Sequence, residues 1–159
     1  MWLEIVLISV FIILSIVPYC FSNHLKEAPK KPFENSFFFN YNHTKFHFRL
    51  FVPKQIKHKA LLIHGFSGST FSFRNNVDTL VNNNTLVVAM DMPAFGYSDK
   101  SEQANYSDSN KISAIHFLLN HIDKISNNQK WNLVGHSMGG ITVGEYASAY
   151  PQQTQSLIF

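Results

Sequence analysis

Ser137 stands in GHSMGG, with Gly135 and Gly139 two residues away on either side. Lying between an apolar run, WNLV, and a small-residue stretch, GITVGEYASAY, it fits the nucleophile elbow G-x-S-x-G. Acyl-transfer chemistry explains the spacing. A turn this sharp holds the serine in a strained backbone conformation, and side chains at the two glycine positions would collide with neighbouring backbone. The hydroxyl is thereby thrust out for attack. The helix expected after it points unpaired N–H groups at the place where an oxyanion forms, with the Met138 N–H as the natural donor. An earlier apolar run ends in HGF at residues 64–66, where the backbone N–H of Phe66 is expected to supply a second donor. Gly135, His136, Gly139 and Gly140 on one side and His64 and Gly65 on the other are therefore expected to shape the elbow and its loop.

These groups need elements to place them. FENSFFFNY and KFHFRLFV alternate and are separated by a turn at Asn42–Thr44, which predicts an antiparallel hairpin with Phe46, Phe48 and Leu50 on one face. HKALLIHGF and TLVVAMD read as strands buried on both faces, and FSFRNNVDTLVNN between them as a helix. Ile112, Ile115, Leu118 or Leu119, Ile122 and Ile125 form a helical stripe, with Asp108 or Ser109 as its N-cap. WNLV predicts a further strand, GITVGEYASAY a helix stopped by Pro151, and SLIF the opening of one more strand. Alternating strands and helices imply an α/β fold with a mostly parallel sheet, entered through the antiparallel hairpin. Working groups in such sheets gather at the carboxyl ends of the strands, where residues 64–66, 91–98 and 135–140 all fall.

Through HGFSGS at 64–69, DMPAFGYSD at 91–99 and GHSMGG at 135–140, the chain resembles the α/β-hydrolase superfamily. The likeness spans about residues 36–159, the N-terminal half of that fold. It implies a serine hydrolase that cleaves a carboxylic ester or related acyl bond through an acyl-enzyme at Ser137, with no cofactor and no metal. It implies structural roles for His64, which orients the oxyanion loop, and for Asp91, which fixes its own loop. Phe66, Phe71, Phe73, Phe95 and Tyr97 are expected on the loops around the serine, which fits an apolar acyl pocket and equally fits core and rim packing. His116 and His121 are expected on the helix away from Ser137. One departure is Ala94, where similar proteins usually carry glycine. Another concerns the triad, whose order along the chain is serine, acid, histidine. After Ser137 the only acid is Glu145, and no histidine follows. The expectation is a partial hydrolase fold truncated at the start of the sixth strand, itself inactive, whose complete form is the enzyme. The alternatives are a non-catalytic, hydrolase-like binding module and a non-functional fragment.

The 159 residues, 45% hydrophobic and 14% charged, suit one globular domain, expected over residues 34–159. A net charge of +3 with scattered lysines points to no nucleic-acid partner. The run from Ile5 to Pro18 has the length of a signal-peptide core, with Cys20 and Ser22 at the −3 and −1 positions of a cleavage site. Residues 1–22 are read as that signal and 23–33 as a linker, giving a secreted, periplasmic or lumenal protein. Glu4 in the n-region and an apolar stretch reaching Phe21 support the alternative of a membrane anchor over residues 5–21. Lys26, Lys30 and Lys31 would then hold the domain on the cytoplasmic side. Cys20 is the only cysteine, so neither an intrachain disulfide nor a cysteine metal site can form.

Overall fold

The computed structural model describes residues 31–126 and 129–159. The expected signal or anchor and most of the linker lie outside the described residues. The hairpin forms as its alternation predicts: β1 (Ser36–Tyr41) pairs antiparallel with β2 (Thr44–Phe51). Asn42 and His43 close it with φ of 44° and 62°, the doubly left-handed turn whose twist matches that of the strands. Phe46 and Phe48 are buried and the partly buried Leu50 packs with them, on one side of the sheet.

Four more strands complete the sheet: β3 (His58–Ile63), β4 (Thr85–Met90), β5 (Trp131–Gly135) and β6 (Thr154–Ile158). Their order is β1-β2-β4-β3-β5-β6, parallel from β4 through β6 and antiparallel where β2 meets β4. Residues 60–63 of β3 and 86–90 of β4 are apolar without interruption because both faces of these strands are covered. Leu61, Ile63, Val88 and Met90 enter one core, and Ala60, Leu62, Val87 and Ala89 enter the other.

Helix α1 (Val77–Asn82) lines the smaller core, whereas α2 (Asp108–Asp123) and α3 (Met138–Ala149) pack on the larger. The single helix expected over FSFRNNVDTLVNN is instead a 3-10 turn at Thr70–Phe73 followed, after a break, by α1. Ser69 and Ser72 cap that turn reciprocally, and Asn75 and Asn76 after it have low helix propensity, so a continuous helix is not sustained. In α2 the stripe is as expected over Ile112, Ile115, Leu118, Leu119 and Ile122, all buried. Ile125 lies past the helix end and is 78% exposed. The N-cap is Ser107 rather than Asp108 or Ser109, because its extended backbone lets Oγ accept the Asn110 N–H at 3.3 Å. β6 forms one edge of the sheet, and Ile158 and Phe159 at its end are exposed.

Candidate active site

Register brings the three motifs together. Ile63 of β3 pairs with Met90 of β4 on one side and with Gly135 of β5 on the other. All three strands therefore end in one row, and HGF, DMP and HSM begin side by side. The His136 N–H donates to the Ile63 carbonyl at 3.0 Å, extending the pairing to the base of the elbow.

Ser137 has φ 52° and ψ −118°, a conformation that costs a non-glycine residue about 1–3 kcal/mol. It is the N-cap of α3, yet its side chain makes no capping bond, and it is exposed. The turn is held from below by Gly139 N–H to His136 O at 2.9 Å and Gly140 N–H to Ser137 O at 2.8 Å. Both flanking glycines are obligatory on steric grounds. A Cβ on Gly135 would lie 2.6 Å from the Gly139 carbonyl carbon, and one on Gly139 would lie 2.6 Å from the His64 carbonyl oxygen. Gly140 packs beneath the ring of Phe159. Met138 is the first residue of α3, so its N–H has no intrahelical acceptor.

The facing loop is anchored by His64, which is fully buried. Its Nδ1–H donates to the Gly65 carbonyl at 2.7 Å, and its Nε2 accepts the Met92 N–H at 3.1 Å. Because a backbone amide must donate, these partners assign the neutral Nδ1–H tautomer. Burial holds the His64 pKa below its usual value, against the opposing pull of the Gly65 hydrogen bond and the Asp91 charge. With both ring nitrogens engaged, His64 orients backbone rather than carrying protons. In a trans peptide the C=O and the next N–H point opposite ways, so fixing the Gly65 carbonyl also fixes the Phe66 N–H. A Cβ on Gly65 would lie 3.2 Å from Ser137 Cβ, which measures how closely the two loops approach.

Two grooves flank the elbow. One, of about 830 Å³, touches Ser137 and is lined by Gly140, Ile141, Gly144, Glu145, Ser148, Ala149 and Phe159. The other, of about 410 Å³, runs past His136, Gly65, Phe66 and Ser67. The aromatic residues expected around the serine divide between the interior and the loop facing the elbow. Phe73 is buried in the smaller core, Tyr97 packs on Phe33 and His47, and Phe95 meets Phe66 edge to face at 5.6 Å. His116 stacks on Tyr150 at 3.8 Å, remote from the elbow as expected, and His121 stacks on Phe117.

Asp91 fixes its loop, accepting the Tyr97 N–H at 2.9 Å and the Thr70 N–H at 2.6 Å. Sequence reasoning missed its third partner, His47, whose Nδ1 lies 2.7 Å from Asp91 Oδ2. The only signal was its place between Phe46 and Phe48, which turns it to the opposite face of β2.

A strained, exposed serine between a parallel strand and a helix, opposite a histidine-anchored loop, defines a class of protein, and comparison with known sequences agrees with it. Residues 61–159 match the family model of the alpha/beta hydrolase fold, and the chain belongs to that family. Among its relatives are monoacylglycerol lipase abhd6-A of Xenopus laevis, 32% identical over 120 residues, 76% of this chain and 35% of the lipase. Another is the abhydrolase domain-containing protein abhd-5.2 of Caenorhabditis elegans, 33% identical over 102 residues, 64% of this chain and 22% of that protein. The chain thus spans a fifth to about a third of the length of the curated relatives it matches. A probable hydrolytic enzyme from Pseudomonas aeruginosa superposes with a TM-score of 0.65 at 25% identity, covering 75% of this chain and 38% of that one. A thermostable carboxyl esterase from Bacillus coagulans shares the fold at 15% identity, with a TM-score of 0.68 over 75% of this chain and 41% of the esterase.

Proposed function

We propose that the protein is a serine hydrolase of carboxylic esters or related acyl bonds, with Ser137 as nucleophile and the Phe66 and Met138 N–H groups as oxyanion donors. The backbone of Ser137 carries this reading. A φ of 52° at an exposed residue is a cost to the fold with no packing or capping return, and it delivers the hydroxyl to the mouth of an apolar groove. In the reaction, Ser137 Oγ attacks the acyl carbon and gives up its proton to a base. The carbonyl oxygen becomes negative between the two N–H groups. Collapse of the intermediate releases the alcohol, which takes that proton, and water then cleaves the acyl-enzyme by the same route. Base and acid follow the serine in this family. Residues 138–159 hold Glu145 and no histidine, so full turnover is proposed for a chain that supplies both. The groove beside Ser137, with Ile141 and Phe159 on its wall, favours an apolar acyl group, and the monoacylglycerol lipases among the relatives are in keeping with that.

The test, in a chain that supplies the base and acid, is labelling with a fluorophosphonate and hydrolysis of short p-nitrophenyl esters, each beside Ser137→Ala. Substitution should abolish labelling and lower turnover on the order of 10⁴- to 10⁶-fold. Undiminished hydrolysis in the variant would refute the assignment. Binding of an acyl ligand without labelling would favour the non-catalytic module.

A further inference from the structure

Asp91 is fully buried and surrounded by donors. Its Oδ1 accepts the Thr70 N–H from the turn that follows HGFSGS, and its Oδ2 accepts the Tyr97 N–H from the DMPAFGYSD loop. The same carboxylate thus ties the loop after β3, which approaches Ser137, to the neighbouring loop after β4. A side chain at Gly96 would overlap that carboxylate, so the loop wraps it at contact distance.

His47 meets Asp91 by three routes. Its Nδ1 lies 2.7 Å from Oδ2, its carbonyl accepts the Asp91 N–H at 3.0 Å, and its own N–H donates to Ser98 Oγ, which donates to the Asp91 carbonyl at 2.7 Å. Behind the ring, Nε2 lies 2.8 Å from Ser36 Oγ, which also accepts the Phe33 N–H. Ser36, His47 and Asp91 are joined in the order of a hydrolytic triad, but Ser36 is 4% exposed and its oxygen already accepts a backbone donor. Phe38 and Tyr97 cover the imidazole. The chain of bonds has no approach for a substrate. What it can do is hold the carboxylate in one orientation, because the ring is itself fixed at both nitrogens.

We propose that His47 is a positioning residue, acting through Asp91 to hold the loop bearing Phe66 in place beside Ser137, braced by the neighbouring loop bearing Phe95. Its consequence for catalysis rests on the serine-hydrolase reading; its consequence for the loops does not. The role depends on a donor at the Nδ1 position, which asparagine reproduces, whereas glutamine puts its amide nearer the Nε2 position, toward Ser36.

The experiment compares His47→Asn, His47→Gln and His47→Leu in the full chain by site-resolved amide hydrogen exchange, which needs no turnover. His47→Leu and His47→Gln should speed exchange at Thr70 and Tyr97 about 10-fold or more relative to Leu61 and Leu133 in the core. His47→Asn should restore most of that protection. If His47→Leu does not fold, the asparagine and glutamine variants still decide the matter. Equal protection in those two, or Thr70 and Tyr97 moving only in step with Leu61 and Leu133, would overturn the proposal. Failure of Ser137 to react with a fluorophosphonate while the exchange pattern holds would count against the nucleophile and not against His47.

Discussion

Ser137 and Ala94 both hold a left-handed backbone, at φ 52° and 74°, and only one of them gains a function from it. At Ser137 the unfavourable conformation exposes a hydroxyl at the end of a buried strand. At Ala94 it serves only a loop closed by the Ala94 N–H on the Asp99 carbonyl, at 2.8 Å. The methyl group is exposed, so it contributes no packing. An L-residue there costs about 1–2 kcal/mol, while glycine adds about 0.4–1 kcal/mol of unfolded-state entropy to be lost. Ala94→Gly should therefore stabilise the fold by about 0.5–1 kcal/mol, read as a higher urea midpoint at unchanged slope. A lower midpoint would show that the loop gains something else from alanine.

The elements work as a set because β3 and β5 are in register and α3 starts against them. The N-terminal turn of α3 lies so close to the carboxyl end of β3 that a methyl group at Gly139 would overlap the backbone of Ile63 and His64. Farther along the same helix, a Cβ at Gly144 meets nothing within 4 Å. The two glycines give an internal comparison. Gly139→Ala should destabilise by about 1–3 kcal/mol through overpacking and displace Ser137. Gly144→Ala should stabilise by about 0.5–1 kcal/mol through helix propensity alone. Thermal melting of both variants measures this, and equal tolerance at the two positions would contradict the close approach that forms the elbow.

For the whole molecule, the buried polar groups couple stability to pH. His64 is held neutral by burial, so its folded pKa lies below the ordinary value of 6.5. Above that value neither state carries the proton and the interaction is fully present. As pH falls below it, the unfolded chain takes up a proton that the folded chain resists, and stability drops by at most about 1.4 kcal/mol per pH unit until the folded pKa is passed. Urea unfolding between pH 5 and 8, with His64→Asn as the reference, should show this slope in the parent and a shallower one in the variant. An identical slope in both would place the linkage elsewhere. Strand and helix assignments, the antiparallel entry and the elbow itself were legible in the sequence because they depend on local periodicity and on residues a few positions apart. Strand order, the break before α1 and the surroundings of Asp91 were not. His47 and Asp91 are 44 residues apart, and Thr70 and Asp91 are 21 apart. The sequence alone thus determined the α/β pattern and the candidate nucleophile. Only the tertiary structure decided which loops stand beside that serine and what holds them, because hydrogen bonds between distant residues exist only once β2, β3 and β4 lie side by side.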